Sequence, residues 1–413
     1  MDLQIPLDIP NVEILKFERN NRGEFILTVA SKSKSTQCRK CKKEISKIHG
    51  YSDTIILRHT SILDKPVYIR IKLTRFMCED CDGKPTTTEQ PDWFKRGSQF
   101  TNAYEDYLMR MLINSTALDV ARKEQLTYDE VEGALNRQIN TEVNWDKFDE
   151  IPTLGIDEIA LKKGHKDFVS VLTTRIGLET RIITILPDRK KQTIKLFLAS
   201  IPDRLKKTVK TVCSDMYDGY ISATKEFFGK KVKVVVDRFH VAKLYRKSVD
   251  DLRKKELRRL KKDLSDTEYK KLRGAMWALR KKEANLSDDE KVVLHHVFEH
   301  SPDLKEAYDL QNALTEIFNK AITKREAEKQ IKGWMKAVRN SKLLCFDKFL
   351  VTLQNYWHEI LNYFYRKERK NSGFVEGLNN KIKTIKRRCY GLLSVETLFQ
   401  RVYLDLEGYR MYA

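Results

Sequence analysis

Residues 153–161, TLGIDEIAL, set one carboxylate, Asp157, inside an apolar run flanked by Leu154, Ile156, Ile159 and Leu161. Side chains alternate between the two faces of a β-strand, so Asp157 and Glu158 point in opposite directions. A charge buried there is tolerated only if a partner charge, hydrogen bonds or a metal compensates it. The bland alternative is an exposed residue on an edge strand. Further strands are expected at DFVSVLTT (167–174) and RIITILP (181–187), then a helix at KQTIKLFLASI (191–201), stopped by Pro202. TVKTVCS (208–214), a helix through GYISATKEFF (219–228) and KVVVD (233–237) complete the block.

Three consecutive strands, a helix, a strand, a helix and a strand is the order of a ribonuclease H-like sheet. In that sheet the first and fourth strands are neighbours. Asp215 ends the fourth, about 5 Å sideways from the first, whereas an acid on the fifth would be about 10 Å away. Asp215 is therefore the second acid expected at the site. Asp237 and His240, in DRFH, are expected behind it or as a substrate contact, with a strand-end cap as the plainer role for Asp237. A long basic region follows, beginning AKLYRKSVDDLRKKELRRLKKDL and broken at Ser265, Ser287 and Ser301–Pro302. It shows no strand pattern and reads as an all-helical insertion. The third acid, Glu376, lies beyond it in GFVEGLNNKIKTIKRR. Helical spacing puts Glu376, Asn379, Asn380, Lys383 and Arg387 on one face. These residues after Glu376, together with Lys386 and Arg388, are candidate DNA contacts.

The 413 residues carry 79 Lys plus Arg against 58 Asp plus Glu, a formal charge of +21 and a pI near 9.5. That excess favours a polyanion, nucleic acid before an anionic membrane surface. No apolar stretch approaches the roughly 20 residues that span a bilayer. The start, MDLQIPLDIPNVEIL, lacks the pattern of a signal peptide. A soluble protein of a reducing compartment is expected, with free or metal-bound thiols.

Four of the seven cysteines form two CxxC pairs, Cys38–Cys41 and Cys78–Cys81. Each lies near the end of a strand-like run (EILKFERN, FILTVAS, TIILRHT, VYIRIKLTRFMC), as in a zinc ribbon. One structural Zn2+ is expected there, with His49 as a less favoured ligand. Cys213, Cys345 and Cys389 read as packing residues. Next come three helical stretches, AYEDYLMRMLIN, TALDVARKEQ and YDEVEGALNRQI, with Thr127 as N-cap of the third. They suggest a helix-turn-helix whose third helix is acidic, with Arg137 among its few exposed cations. His296-Val-Phe-Glu299-His300 matches an inverted zinc-protease motif but reads as local helix packing. The run Arg253–Lys262 reads as a solvated helix face or a phosphate contact.

Three converging carboxylates suit two divalent cations about 4 Å apart, the arrangement that serves phosphodiester chemistry. Hard oxygen ligands select Mg2+ or Mn2+. A multidomain α+β chain is expected, beginning with a zinc-binding module at 1–95 and a helix-turn-helix domain at 96–148. The ribonuclease H-like α/β catalytic domain would then occupy 149–240 and 370–413, split by the insertion at 241–369.

The blocks CRKC, CEDC, GIDEIALKKGH, VCSDMYDGY, VVVDRFHVAKL and SGFVEGLNNKIKTIKRRCYGLLS, in this order, resemble those of bacterial DDE transposases of the ISL type. The resemblance spans nearly the whole chain. It implies cut-and-paste movement of an insertion sequence, with Asp157, Asp215 and Glu376 as the metal-holding triad. It implies double-stranded DNA partners (terminal inverted repeats and target) and a homodimer or larger assembly. A bacterial cytoplasmic, nucleoid-associated location follows. A non-catalytic DNA-binding regulator derived from such an enzyme, and a metal-dependent endonuclease that cuts without joining, are the competing readings.

Overall fold

The structure, a computed structural model, describes residues 7, 9–161, 167–281, 283–364, 373–392 and 394–412; in the helix that starts at Gly373, side chains are described from Gly377 onward. The chain forms two compact units. The first comprises residues 1–141 with 388–390 and 400–413, and the second comprises 142–387 with 391–399.

The first unit opens with β1 (Val12–Arg19), β2 (Phe25–Ser31), β3 (Thr36–Gln37), β4 (Glu44–Ile45) and β5 (Lys47–Tyr51). β6 (Ile55–Ile62), β7 (Lys65–Lys72), β8 (Thr74–Met77) and β9 (Thr86–Thr88) follow. A four-stranded sheet runs β1-β2-β7-β6, beside small sheets β3-β4 and β5-β8-β9. Strict alternation in KPVYIRIK buries Val67, Ile69 and Ile71 against Leu27, Val29 and Leu57. VYIRIKLTRFMC reads as one strand, yet it divides at Leu73 between two sheets. There the ladder is taken over by loop groups. Leu73 N donates to Ser52 Oγ at 3.0 Å, and Thr74 N donates to Glu89 Oε1 at 2.6 Å.

Three helices follow: α1 (Asn102–Leu112), α2 (Ala117–Glu124) and α3 (Tyr128–Gln138). Thr101, Thr116 and Thr127 each cap a helix by accepting from a backbone N–H in its first turn. Thr127 and Glu130 form a full capping box. Gln125, at φ 57°, turns the chain between α2 and α3.

In the second unit β10 (Thr153–Ala160), β11 (Phe168–Ile176), β12 (Glu179–Leu186), β13 (Thr211–Ser214) and β14 (Lys233–Val236) form a sheet in the order β12-β11-β10-β13-β14. β11 is antiparallel to both β10 and β12, while β13 and β14 run parallel to β10. α4 (Lys191–Ser200), α5 (Asp203–Lys206) and α6 (Asp218–Phe228) lie between β12 and β14 in the chain. Leu154, Ile156 and Val212 pack with Ile194, Leu198 and Tyr220 of α4 and α6, so Gly155 and Asp157 belong to the other face of the sheet.

After β14 the described elements are helical as far as Phe364: α7 (Arg238–Asp263), α8 (Asp266–Lys271), α9 (Ala275–Ala278) and α10 (Asp288–His300), then α11 (Pro302–Asn319), α12 (Lys324–Ser341), α13 (Asp347–Asn355) and α14 (Trp357–Leu361). One continuous core joins them to Val234, Val235 and Val236 of β14. The last helices are α15 (Gly373–Arg388) and α16 (Val395–Tyr412).

Residues 370–413 read in sequence as one piece of a catalytic domain, but residues 400–413 group with the first unit. The contacts explain why. Arg401 Nη2 donates to Leu112 O, at the end of α1, and to Ser115 O just beyond it, and Gln400 Nε2 donates to Ile139 O. Leu404 joins the buried cluster of the three helices. Gly408 permits the close approach, since a Cβ there would sit 2.8 Å from Ile113 Cδ1.

Candidate functional site

β10, β13 and β14 bring three acids to adjacent strands. Ile156 pairs with Ser214, and Ser214 with Val236, so Asp157, Asp215 and Asp237 each follow a paired residue. Asp157 Oδ1 accepts from Glu158 N at 2.7 Å, and Asp215 Oδ1 accepts from Tyr217 N at 3.2 Å. Burial raises the Asp157 carboxyl above its ordinary range, and the negative charges of Asp237 and Glu158 add to this. Asp215 is pushed up to about 6, first by burial and then by the charges of Asp157 and Glu158. A positive His240 opposes both shifts. Two carboxylates whose ionisation is opposed by burial and by neighbouring negative charge form a site suited to a positive ion.

Asp237 is buried and caps α7, its Oδ1 accepting from Phe239 N at 2.9 Å. Glu158 lies on the other face, bound by Arg189 Nη1 at 2.7 Å. The Arg189 guanidinium also lies 4.6 Å from the Phe168 ring centroid and 4.9 Å from that of Tyr217.

The α15 helix reaches the acids through a residue that sequence reading assigned to DNA. Asn379 Nδ2 donates to Asp157 Oδ2 at 2.5 Å, while Asn379 Oδ1 is buried with no partner among the described residues. Its spacing of three from Glu376 was the available signal. Glu376 lies one turn before Asn379 on the same helix, and its side chain lies outside the described residues. The face of 376, 379, 380, 383 and 387 divides: Asn379 is buried, whereas Asn380, Lys383 and Arg387 are exposed. Lys386 Nζ donates to Ala160 O and Leu161 O at 2.7 and 2.6 Å, tying α15 to the end of β10. Burial lowers its pKa. Arg388 binds Asp405 Oδ2 at 2.6 Å.

In the first unit the four Sγ atoms of Cys38, Cys41, Cys78 and Cys81 all lie within 4.8 Å of one another. Those of Cys41 and Cys78 are 3.8 Å apart, close to the edge of a tetrahedron built on Zn–S bonds of about 2.3 Å. Backbone bonds hold both CxxC segments: Lys42 N donates to Cys38 O across the first, and beside the second Lys84 N donates to Cys81 O and Cys78 N to Pro85 O. Backbone N–H groups of Cys41 and Lys40 pull the Cys38 thiol down to about 6. Cys81 is pushed up to about 12, first by the hydrogen bond with Cys41 and then by burial. The donor set thus fits a thiolate-binding ion. His49 is exposed on β5 and outside this cluster. His295 and His296 both bond Glu299, and the quartet is the metal-type cluster found among the described residues.

Arg137 is held by Glu105, which is fully buried on α1. Arg137 Nε lies 2.6 Å from Glu105 Oε1, and Ser98 Oγ and Gln138 Nε2 donate to the same carboxylate at 2.9 Å. Removing that acceptor strands three donors, so Glu105→Ala is expected to destabilise the helical unit by about 3 kcal/mol. A thermal melt alongside wild type checks this; an unchanged midpoint would show the network to be dispensable. Within the basic run on α7, Arg253 and Lys254 pair with Asp250, and Arg259 pairs with Glu256 and Asp263.

Two family models match the chain. One, of the DDE type from the ISL3 group and described as "Transposase", matches residues 154–402. The other, described as the helix-turn-helix domain of transposase family ISL3, matches residues 89–139. Among curated proteins, the chain is similar to the transposase for insertion sequence element IS1001 of Bordetella parapertussis. The two are 26% identical over 376 residues, covering 90% of this chain and 89% of that protein. It is also similar to the transposase for insertion sequence element IS1557 of Mycobacterium tuberculosis, 22% identical over 425 residues, with 97% and 93% covered.

Proposed function

Because the chain belongs to the ISL3 transposases, we propose that it cuts DNA at the terminal inverted repeats of an insertion sequence and joins the freed 3′ end to target DNA. The observation that carries this reading is the hydrogen bond from Asn379 to Asp157, 222 residues apart in the chain. It sets the helix of Glu376 against the strand that bears the first acid. The sheet order, with Asp157 on β10 and Asp215 and Asp237 just past the ends of the parallel strands β13 and β14, supports a ribonuclease H-like catalytic fold. The helices between β14 and α15 are then its insertion.

The residues fit a hard divalent cation. Two carboxylates are raised by burial and by the charges of neighbouring acids, and a buried amide oxygen, Asn379 Oδ1, has no partner among the described residues. Asp157, Asp215 and Glu376 would hold Mg2+ or Mn2+, as a pair of ions. Bound there, the ions would supply Lewis-acid charge to the attacking and leaving oxygens of the phosphodiester.

The chain's own groups have separate roles. Asn379 and the Glu158 amide fix the two oxygens of Asp157, and His240 favours the ionised form of both acids. Lys386 anchors α15 by its two carbonyl contacts. Asn380, Lys383 and Arg387 are exposed and would meet DNA phosphates. The cysteine quartet would hold one structural Zn2+, and the helix-turn-helix would grip the repeat. Joining requires two ends together, hence at least two protomers on DNA.

The test is incubation with labelled repeat DNA and Mg2+ or Mn2+, comparing wild type, Asp215→Ala and Asp237→Ala. Cleavage and joining by wild type, lost in Asp215→Ala, is the expected result. Activity that survives in Asp215→Ala but dies in Asp237→Ala would reassign the second acid. Cutting without joining would leave an endonuclease, and binding without nicking a regulator.

A further inference from the structure

A second built feature starts at the active-site end of α7. Phe239, Lys243 and Arg246 follow at intervals of four and three residues, Lys247 adjoins Arg246, and Arg253 lies seven residues beyond Arg246, so the five share one helix face over roughly 21 Å. This face borders a cavity of about 530 Å3. Val249, Met276, Leu279 and Gln311 contribute the rest of its lining with Asp250 and Arg280.

The lining is apolar below and cationic above. Val249 and Leu279 are buried, while the Phe239 ring is 48% exposed. Asp250 is engaged by Arg253, through Nε and Nη2 at 3.0 and 2.9 Å, and faces Arg280 at 3.6 Å. Lys243, Arg246 and Lys247 are exposed and make no ion pair among the described residues. Gln311 is 5% exposed and donates to Leu279 O at 3.4 Å. Trp277, beside Met276 in α9, is 62% exposed, with the Arg280 guanidinium 5.7 Å from its ring centroid.

An apolar cavity rimmed by free cations matches the two faces of a nucleotide, a flat base and a charged phosphate. Its volume lies within the roughly 300–1,000 Å3 of ligand pockets. Duplex DNA offers phosphates but keeps its bases stacked inside, which would leave Phe239 and the apolar floor without contact. The groove also begins two residues after Asp237, whose charge acts on Asp157. We propose that this groove binds an unpaired DNA strand next to the cut site. A base stacks on Phe239 in the cavity, and the flanking phosphates lie on Lys243, Arg246 and Lys247. The inference rests on the DNA-cleaving reading above and adds the strand state that the site recognises.

The test uses the full chain and three probes: a labelled blunt duplex, the same duplex with an unpaired dT tail, and poly-glutamate as competitor. Wild type is expected to prefer the tailed duplex. Phe239→Ala should weaken tail binding roughly 5- to 100-fold and leave the blunt duplex unchanged. Phe239→Leu, which keeps the apolar volume without the ring, should show the same pattern if the alanine variant folds poorly. Arg246→Ala should lower the salt dependence of tail binding by about one charge. Equal losses on both DNAs, no loss on either, or displacement of the tail by poly-glutamate as readily as by DNA would overturn the groove. Failure of wild type to bind even blunt duplex would instead overturn the DNA reading beneath it. If wild type cuts repeat DNA while Phe239→Ala keeps its tail preference, only the groove falls.

Discussion

Asp157→Asn protein is expected to bind repeat-bearing DNA as wild type does and to cut it on the order of a thousandfold more slowly, about 4 kcal/mol in the barrier. The substitution keeps the shape of the side chain. The amide oxygen can still accept from Asn379 Nδ2 or from Glu158 N, but the charge that would hold a divalent cation is gone. A purely structural role predicts the reverse pattern, with lost stability and little specific loss of cutting.

The pH dependence separates the two roles. The folded-state pKa of Asp215 is about 6 and that of Asp157 is also raised, against an unfolded value of about 4. The folded protein therefore holds these protons more tightly than the unfolded chain. Their contribution to stability is fully present below about pH 4 and is lost as pH rises through about 6. In metal-free buffer, the melting temperature of Asp157→Asn relative to wild type should rise between pH 5 and pH 7.5. Mg2+ added at pH 7.5 should then raise the melting temperature of wild type and leave the variant nearly unmoved. A variant that cuts at wild-type rate, or one that gains as much from Mg2+ as wild type does, removes Asp157 from the site.

The strands of the central sheet were legible because their patterning is local. Leu154, Ile156 and Val212 announce buried faces, and the order of strands and helices dictates which ends come together. Asp157 could be singled out because a charge inside such a run needs compensation. The identity of the compensation was not legible. Asn379 sits 222 residues away, and nothing in its neighbourhood says whether it meets DNA or a carboxylate. The same holds for the cations. Lys386 and Arg137 look alike in sequence, yet one ties a helix to two strand carbonyls and the other meets a buried glutamate 32 residues earlier. Helical spacing specifies a face but not what covers it. The division of VYIRIKLTRFMC was hidden for a related reason, since Ser52 and Glu89 take up its hydrogen bonds from other segments. The groove on α7 escaped because Phe239 reads as one more apolar residue until its exposure is known.

Zinc removal should have the largest effect on the first unit. Besides the cysteines, the buried residues of the quartet's cluster are only Ile45 and Phe76. β3 and β4 are two residues long and β9 three, so these strands hold too little apolar area to order themselves. A metal ion held by the quartet would supply that order by closing the loop between the two CxxC turns. Purified protein is expected to contain about one zinc per chain, and Cys78→Ser should reduce this towards zero. Cys213→Ser, which alters a thiol outside the quartet, should leave it unchanged. In the stripped protein, hydrogen-exchange protection should fall by roughly a hundredfold or more in residues 36–51 and 74–88. The four-stranded sheet has its own core of Leu27, Val29, Leu57, Val67 and Ile69 and should stay protected. Zinc retention should also weaken as pH falls, because the ion must displace protons from thiols such as Cys81, which hold them tightly. Protection in residues 36–51 that survives complete removal of zinc would mean the quartet is held by packing alone, against so small a core.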